Sequence, residues 1–142
     1  MKPGKDYIGV GCGALIVNEQ NQTLLIKRTG KTKSNAGQWS KPGGTVEFGE
    51  TVEAAIVREI KEELGVQIKL GQFLGFTNHI IPEEQQHWVA LHYLAQITEG
   101  EVQNLEPEKH EEVRWFSFDE LPDNMTLTTR EPIEAYLGYS IS

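Results

Sequence analysis

The segment from Thr51 to Leu64 constrains this chain most, because its apolar residues recur at helical spacing and both ends carry stop signals. On a wheel advancing about 100° per residue, Ile56, Val57, Ile60 and Leu64 form one apolar stripe. Glu59, Glu62 and Glu63 fall together in a sector roughly 100° wide, directly beside that stripe. Thr51 suits an N-cap, Glu53 complements the positive end of the helix, and Gly65 stands where a helix C-terminus favours a left-handed residue. A solvated charge face points away from the core, whereas these acids stand at its rim. Like charges at such spacing repel by about a few tenths of a kcal/mol per pair in an isolated helix, and partial burial raises that. A cation is the natural compensation. Hard divalent ions such as Mg²⁺ and Mn²⁺ prefer oxygen ligands, so glutamates suffice without His or Cys.

The rest of the chain reads as strands around this helix. Tyr7 to Val17 and Thr23 to Arg28 are strand-like and separated by the polar Asn18–Gln22, which suggests a hairpin. Thr29 to Gln38 is a polar loop in which Lys31 and Lys33 read as solvated charges. Trp39-Ser40-Lys41 is a short strand ending at Pro42-Gly43-Gly44, a turn by composition. Val66 to Phe76 and His87 to Ile97 are further strands joined by a polar loop at Ile81 to Gln86. Thr98 to Glu112 is an acidic loop, Val113 to Phe116 a last short strand, and Thr129 to Leu137 a closing helix. Repeats, linkers and low-complexity tracts are not evident, so residues 1–142 are expected to form a single mixed α/β domain.

Composition narrows the function. A net charge of −8, with no basic run, argues against nucleic-acid binding. An acidic protein that handles polyphosphates needs metal cations to bring like charges together. No apolar run approaches the ~18 residues that span a bilayer, so a membrane protein is not expected. The lone Cys12, flanked by apolar residues, reads as a buried structural thiol and fits a cytoplasmic location. The run Gly9-Val10-Gly11-Cys12-Gly13-Ala14 superficially fits a dinucleotide fingerprint, but Leu15-Ile16-Val17 continues a strand where that motif needs a helix. Its alternating glycines share one strand face instead, so a packed neighbour or a substrate ring approaches closely there. His79, His87, His92 and His110 have no metal-binding spacing and read as ordinary strand or surface histidines.

The stretch from Gly44 to Val66 resembles the Nudix box, G-x5-E-x7-R-E-U-x-E-E-x-G-U with U aliphatic. Gly44, Glu50, Arg58, Glu59, Ile60, Glu62, Glu63, Gly65 and Val66 meet every fixed position. Trp39-x-x-Pro42-Gly43-Gly44 before it, and Trp115-Phe116-Ser117-Phe118-Asp119-Glu120-Leu121-Pro122 near the end, extend the similarity across most of the chain. The resemblance implies an α/β/α sandwich with the box as a loop–helix–loop beside a mixed sheet. It also implies metal-dependent hydrolysis of a nucleoside diphosphate linked to another group, X. In that setting Glu59, Glu62, Glu63 and the Gly43 carbonyl would hold Mg²⁺, with Mn²⁺ as a substitute. Arg58 would orient a carboxylate through a bidentate pair, which Lys does less well. Glu50 would bind the loop backbone or a metal-bound water.

The box does not fix the general base, for which Glu108, Glu111 and Glu112 in the loop before the last strand are candidates, with Glu63 a further one. Arg28, at a strand end, is a candidate contact for substrate phosphate or base. Trp39, Phe48, Phe76 and Trp88 are candidates for stacking a base, each also open to a packing role. The stretch Asn104–Glu111, Trp115 and Phe48-Gly49-Glu50 look like family members that convert nucleoside triphosphates to monophosphates and pyrophosphate. Pro82, sixteen residues beyond Val66, resembles a marker of ADP-ribose pyrophosphatases. A non-catalytic sensor typically loses box carboxylates, and this chain keeps all of them. A small-molecule nucleotide substrate is therefore expected, and a homodimer on family grounds alone.

Overall fold

The computed structural model describes residues 1–30 and 36–141; Lys31 and Lys33 lie outside the described residues. In chain order these hold β1 (Gly9–Ile16), β2 (Gln22–Arg28), β3 (Trp39–Ser40), β4 (Gly43–Thr45), α1 (Val52–Leu64), β5 (Gln67–Ile81), β6 (Gln86–Glu99), β7 (His110–Ser117) and α2 (Leu127–Leu137). A 3₁₀ turn, Pro82–Glu84, joins β5 to β6. One sheet has the order β4-β1-β6-β5 and the other β3-β2-β7. The β1–β6 pair is parallel while β1–β4 and β5–β6 are antiparallel, so the larger sheet is mixed. Among the described residues no helix is long and apolar enough to cross a membrane.

Strand β1 divides the core by its period of two. Cys12, Ala14 and Ile16 pack with Ala55, Ile56, Ile60 and Leu64 of α1. Leu15 points the other way, into a cluster with Trp39, Phe116, Met125 and Ile133 of α2. With a helix covering each face, the α/β/α sandwich follows from this alternation. Ile56, Ile60 and Leu64 are fully buried, each stabilising by about 1.5–3 kcal/mol. Cys12 is buried and its thiol is pushed up to about 11 by that burial.

Both helix caps form. Thr51 Oγ1 accepts from the Ala54 amide at 3.1 Å, and Gly65, at φ 72°, returns its own amide to the Lys61 carbonyl at 2.9 Å. Beyond the cap, the Glu63 and Leu64 carbonyls accept from the Leu105 and Gln103 amides, each at 3.0 Å. The orphan carbonyls of α1 thereby fasten the loop that precedes β7.

Some sequence expectations are corrected. The Asn18–Gln22 turn closes, with a bridge between Val17 and Thr23, but β1 and β2 then part into different sheets rather than forming a hairpin. Gly43-Gly44 does not remain a turn: with Thr45 it forms β4 against Gly11, Cys12 and Gly13. A Cβ on Gly43 would overlap the Cys12 carbonyl, so composition that signalled a turn instead serves a close backbone approach. The last strand is longer than Val113 to Phe116 because it begins at His110.

Thr51→Ala should leave one first-turn amide without its partner and lower stability by about 0.5–2 kcal/mol. Urea unfolding with an unchanged slope and a lower midpoint would establish this; an unchanged midpoint would mean water serves that amide equally well.

Candidate functional site

Arg58 organises the acidic rim of α1. Its Nε and Nη2 donate to the two carboxylate oxygens of Glu50 at 2.6 and 2.8 Å. Nη2 also donates to the Thr45 carbonyl at 3.1 Å, which ties α1 to β4. Nη1 donates to Glu59 at 3.1 Å and to Glu62 at 3.3 Å. Glu50 accepts in addition from the Glu47 amide at 3.0 Å, closing the loop ahead of the helix. The hydrogen bonds from Arg58 and from that amide hold the Glu50 carboxyl down at about 2, and the Arg58 guanidinium above its ordinary value.

Glycine lets these acids reach the sheet. A Cβ on Gly44 would overlap the Glu59 carboxylate, so only a bare α-carbon leaves room for it. The Gly43 amide donates to Glu63 Oε1 at 3.1 Å. Burial raises the pKa of Glu63 well above its ordinary value, with the charges of Glu59 and Glu106 adding to it. Burial likewise raises Glu59, against the opposing pull of Arg58.

Two residues join this cluster that the sequence did not single out. Glu63, Glu106 and His110 bring one ligand atom each within 4.8 Å of one another. His110 Nε2 lies 3.5 Å from Glu63 Oε2. The His110 ring is buried, its Nδ1 has no partner among the described residues, and burial lowers its pKa, so it faces Glu63 as neutral imidazole.

Glu111 and Glu112 are not brought there. Glu111 pairs with Lys27 at 3.2 Å and Glu112 with Arg114 at 2.6 Å, while the Glu108 side chain is exposed. The cause is a bulge: Lys27 faces Glu112 and Arg28 faces His110, leaving Glu111 as the extra residue. Val113 and Trp115 turn toward the α1 core, and regular alternation would aim Glu111 there too. The bulge aims His110 instead. A bulge leaves no mark in hydropathy, so the sequence offered no signal for His110.

A cleft of about 250 Å³ has a lining that includes Arg28, Gly43, Gly44, Gly11, Trp88 and Ala90, and it meets the carboxylates through Gly43, bonded to Glu63, and Gly44, against Glu59. Burial lowers the Arg28 guanidinium, opposed by the charge of Glu63. Lys41 lines the same cleft, and burial pushes it down to about 8. Trp39 does not line it. That ring is buried edge-on against Phe116 at 4.9 Å, with the Arg114 guanidinium 5.1 Å from its centroid. Phe48 is fully exposed on the loop ahead of α1 and is also absent from the lining. Trp88 is the aromatic that reaches the cleft, its indole N–H donating to Gln86 Oε1 at 2.8 Å.

The NUDIX domain model matches residues 8–136. This chain belongs to the NUDIX domain family. A crystal structure described as a MutT NUDIX hydrolase from Burkholderia pseudomallei matches with a TM-score of 0.85 at 43% identity, over 92% of this chain and 98% of that one. Among curated relatives, an ADP-ribose pyrophosphatase of Methanocaldococcus jannaschii is 36% identical over 75% of this chain, and the NAD-capped RNA hydrolase NudC of Stutzerimonas stutzeri is 37% identical over 87%. The match spans 61% and 41% of those relatives' own lengths.

Two outcomes follow from the Nudix helix. Gly44→Ala should displace Glu59 and weaken Mn²⁺ binding measured by electron paramagnetic resonance; unaltered binding would mean Glu59 is not needed for it. Glu63 has a folded pKa above its ordinary 4.5, so its contribution to stability is fully present below that pH and is lost as pH rises through the folded value. Without metal, Glu63→Gln should therefore melt above the wild type at pH 8, with the gap closing toward pH 4.5. An equal or lower Tm at pH 8 would contradict a buried, ionised Glu63.

Proposed function

We propose that this chain is a divalent-metal-dependent pyrophosphohydrolase that cleaves a nucleoside triphosphate to a nucleoside monophosphate and pyrophosphate. The observation that carries the reading is the cleft, which is lined by Arg28, by Trp88 and by Gly43 and Gly44, the two glycines that seat Glu63 and Glu59. A phosphate chain beside the carboxylates and a base against Trp88 match that lining. The likeness to the Burkholderia pseudomallei MutT NUDIX hydrolase supports it.

The donors fit a hard cation. Glu59, Glu62 and Glu63 offer carboxylate oxygens, Gly43 lines the cleft, and burial raises the pKa values of Glu59 and Glu63, which a bound cation would offset. We assign Mg²⁺, with Mn²⁺ as substitute. Bound there, such ions supply charge neutralisation along the phosphates and polarisation of the attacking water. The chain's residues do the rest. Arg58 fixes Glu59 and Glu62 in orientation, and its fork on Glu50 keeps the loop ahead of α1 closed. The Gly43 amide and His110 hold Glu63 from two sides. Glu106 is the loop acid within reach of the cluster, and we assign it proton acceptance from water in place of Glu111 or Glu112. Arg28, in the cleft, is assigned to the phosphates.

The second reading is an ADP-ribose pyrophosphatase, favoured by the Methanocaldococcus jannaschii relative. Pro82, the residue that suggested it, opens the 3₁₀ turn between β5 and β6 and is not part of the cleft lining.

Phosphorus NMR of Mg²⁺ reactions with nucleoside triphosphates and ADP-ribose separates the two. The triphosphate reading expects monophosphate and pyrophosphate; AMP and ribose 5-phosphate would favour the second reading. Chelator should abolish turnover and Mg²⁺ restore it, while Glu62→Gln and Glu63→Gln should each lower kcat at least ~100-fold with unchanged circular dichroism. No turnover of either substrate class with Mg²⁺ or Mn²⁺ would overturn both.

A further inference from the structure

We propose that Lys41 selects the base: its ammonium reads a ring carbonyl, so the enzyme prefers guanine and uracil nucleotides over adenine and cytosine ones. The inference rests on the nucleotide reading above and deepens it.

The three alternating glycines of β1 share the face that looks away from α1, since Cys12, Ala14 and Ile16 look toward it. That face is covered at both ends. A Cβ on Gly9 would overlap the Trp88 ring, and one on Gly13 would lie 2.7 Å from the Pro42 carbonyl oxygen, 3.0 Å from Lys41 Cε and 3.1 Å from its Nζ. The middle is bare, because a Cβ on Gly11 would meet only ordinary contacts, at 3.7 Å from the Gly44 carbonyl and 3.8 Å from Ala90 Cβ. Gly11 and Ala90 are register partners across β1 and β6, so together they form a flat floor. From Gly9 to Gly13 is about 13 Å at strand rise, which leaves room for one planar ring between Trp88 and Lys41.

Lys41 is held in place rather than waving free. Its amide donates to Thr129 Oγ1 at 2.9 Å, and its Nζ donates to the Thr128 carbonyl at 2.8 Å. An ammonium has three N–H groups and no acceptor, so two remain for a ligand, and they suit an acceptor edge alone. Guanine offers O6 and N7 and uracil offers O4, whereas adenine and cytosine present an amino group at the equivalent position. An amino group facing this ammonium sets donor against donor, and the mismatch costs binding. The charge of Glu63 reaches Lys41, but the Nζ itself is held by the Thr128 carbonyl and lies over Gly13, on the glycine face.

The test compares kcat/KM for GTP against ATP and UTP against CTP in the wild type, Lys41→Met and Lys41→Gln, with folding checked by circular dichroism. The wild type should favour each carbonyl-bearing base by roughly 5- to 150-fold. Met keeps the stem over Gly13 but removes the donor, and Gln offers donor and acceptor alike, so both ratios should fall toward one in either variant. Wild-type ratios near one, ratios that survive substitution, or an equal loss for all four nucleotides would overturn the proposal while leaving the pyrophosphohydrolase reading intact. If the wild type hydrolyses no triphosphate, that reading fails by itself, and titration calorimetry with GMP and AMP decides for Lys41. Tighter GMP in the wild type with equal affinities in the variants supports it; equal wild-type affinities, or binding of neither, overturns it.

Discussion

One guanidinium holds the acidic rim together. Arg58 takes both oxygens of Glu50, reaches Glu59 and Glu62 through its other nitrogen, and fastens the whole to the Thr45 carbonyl of β4. Without it, Glu59 and Glu62 on the helix and Glu50 on the loop ahead of it would repel one another. A lysine could balance the charge but could not span Glu50, Glu59 and the backbone at once, because it lacks the planar fork. The position of α1 against β4 and the orientation of its carboxylates therefore depend on the same residue.

A second constraint builds the site from backbone geometry. The helix ends at Gly65, and its last carbonyls, on Glu63 and Leu64, capture the amides of Leu105 and Gln103. That capture carries Glu106 to the buried side chain of Glu63, and the bulge at Glu111 then turns His110 inward to meet both. Burying Glu63 is unfavourable for stability, as its raised pKa indicates, and such strain is characteristic of groups kept for chemistry rather than for folding. A cation held by the cluster, as proposed, would compensate it.

Much of this was legible in the sequence, for definable reasons. The helix, its caps and its acidic rim were readable because they obey short-range rules of spacing and capping, and Arg58, Glu59, Glu62 and Glu63 sit on that one helix. The glycine face of β1 was readable from alternation alone, including the choice between packing and a ring; Trp88 and Lys41 pack its ends while Gly11 stays bare. What escaped depends on partners far along the chain. Asn18–Gln22 makes a sound turn, yet β1 finds β6 and β2 finds β7, so the local hairpin signal misled. Pro42-Gly43-Gly44 has turn composition, but the glycines serve close strand pairing and the seat of Glu59. Trp39 looked like a stacking residue by type, and only the packing of Phe116 and Arg114 around it reveals a core role.

The same alternation that builds the sandwich separates the two tasks proposed for it. Residues of β1 facing α1 back the carboxylate helix, and residues facing α2 form the floor of the ring-sized recess. Gly43 and Gly44 of the neighbouring β4 line the cleft and also seat Glu63 and Glu59. Groups on opposite faces of a strand share few partners, and changes at such positions tend to add rather than couple. A family built this way can hold its phosphate chemistry fixed in α1 while residues around the recess, such as Lys41 and Trp88, vary. The physical reason is that the proposed catalysis would depend on charge placed to within about an ångström, whereas the proposed choice of base would depend on one or two donors in the cleft.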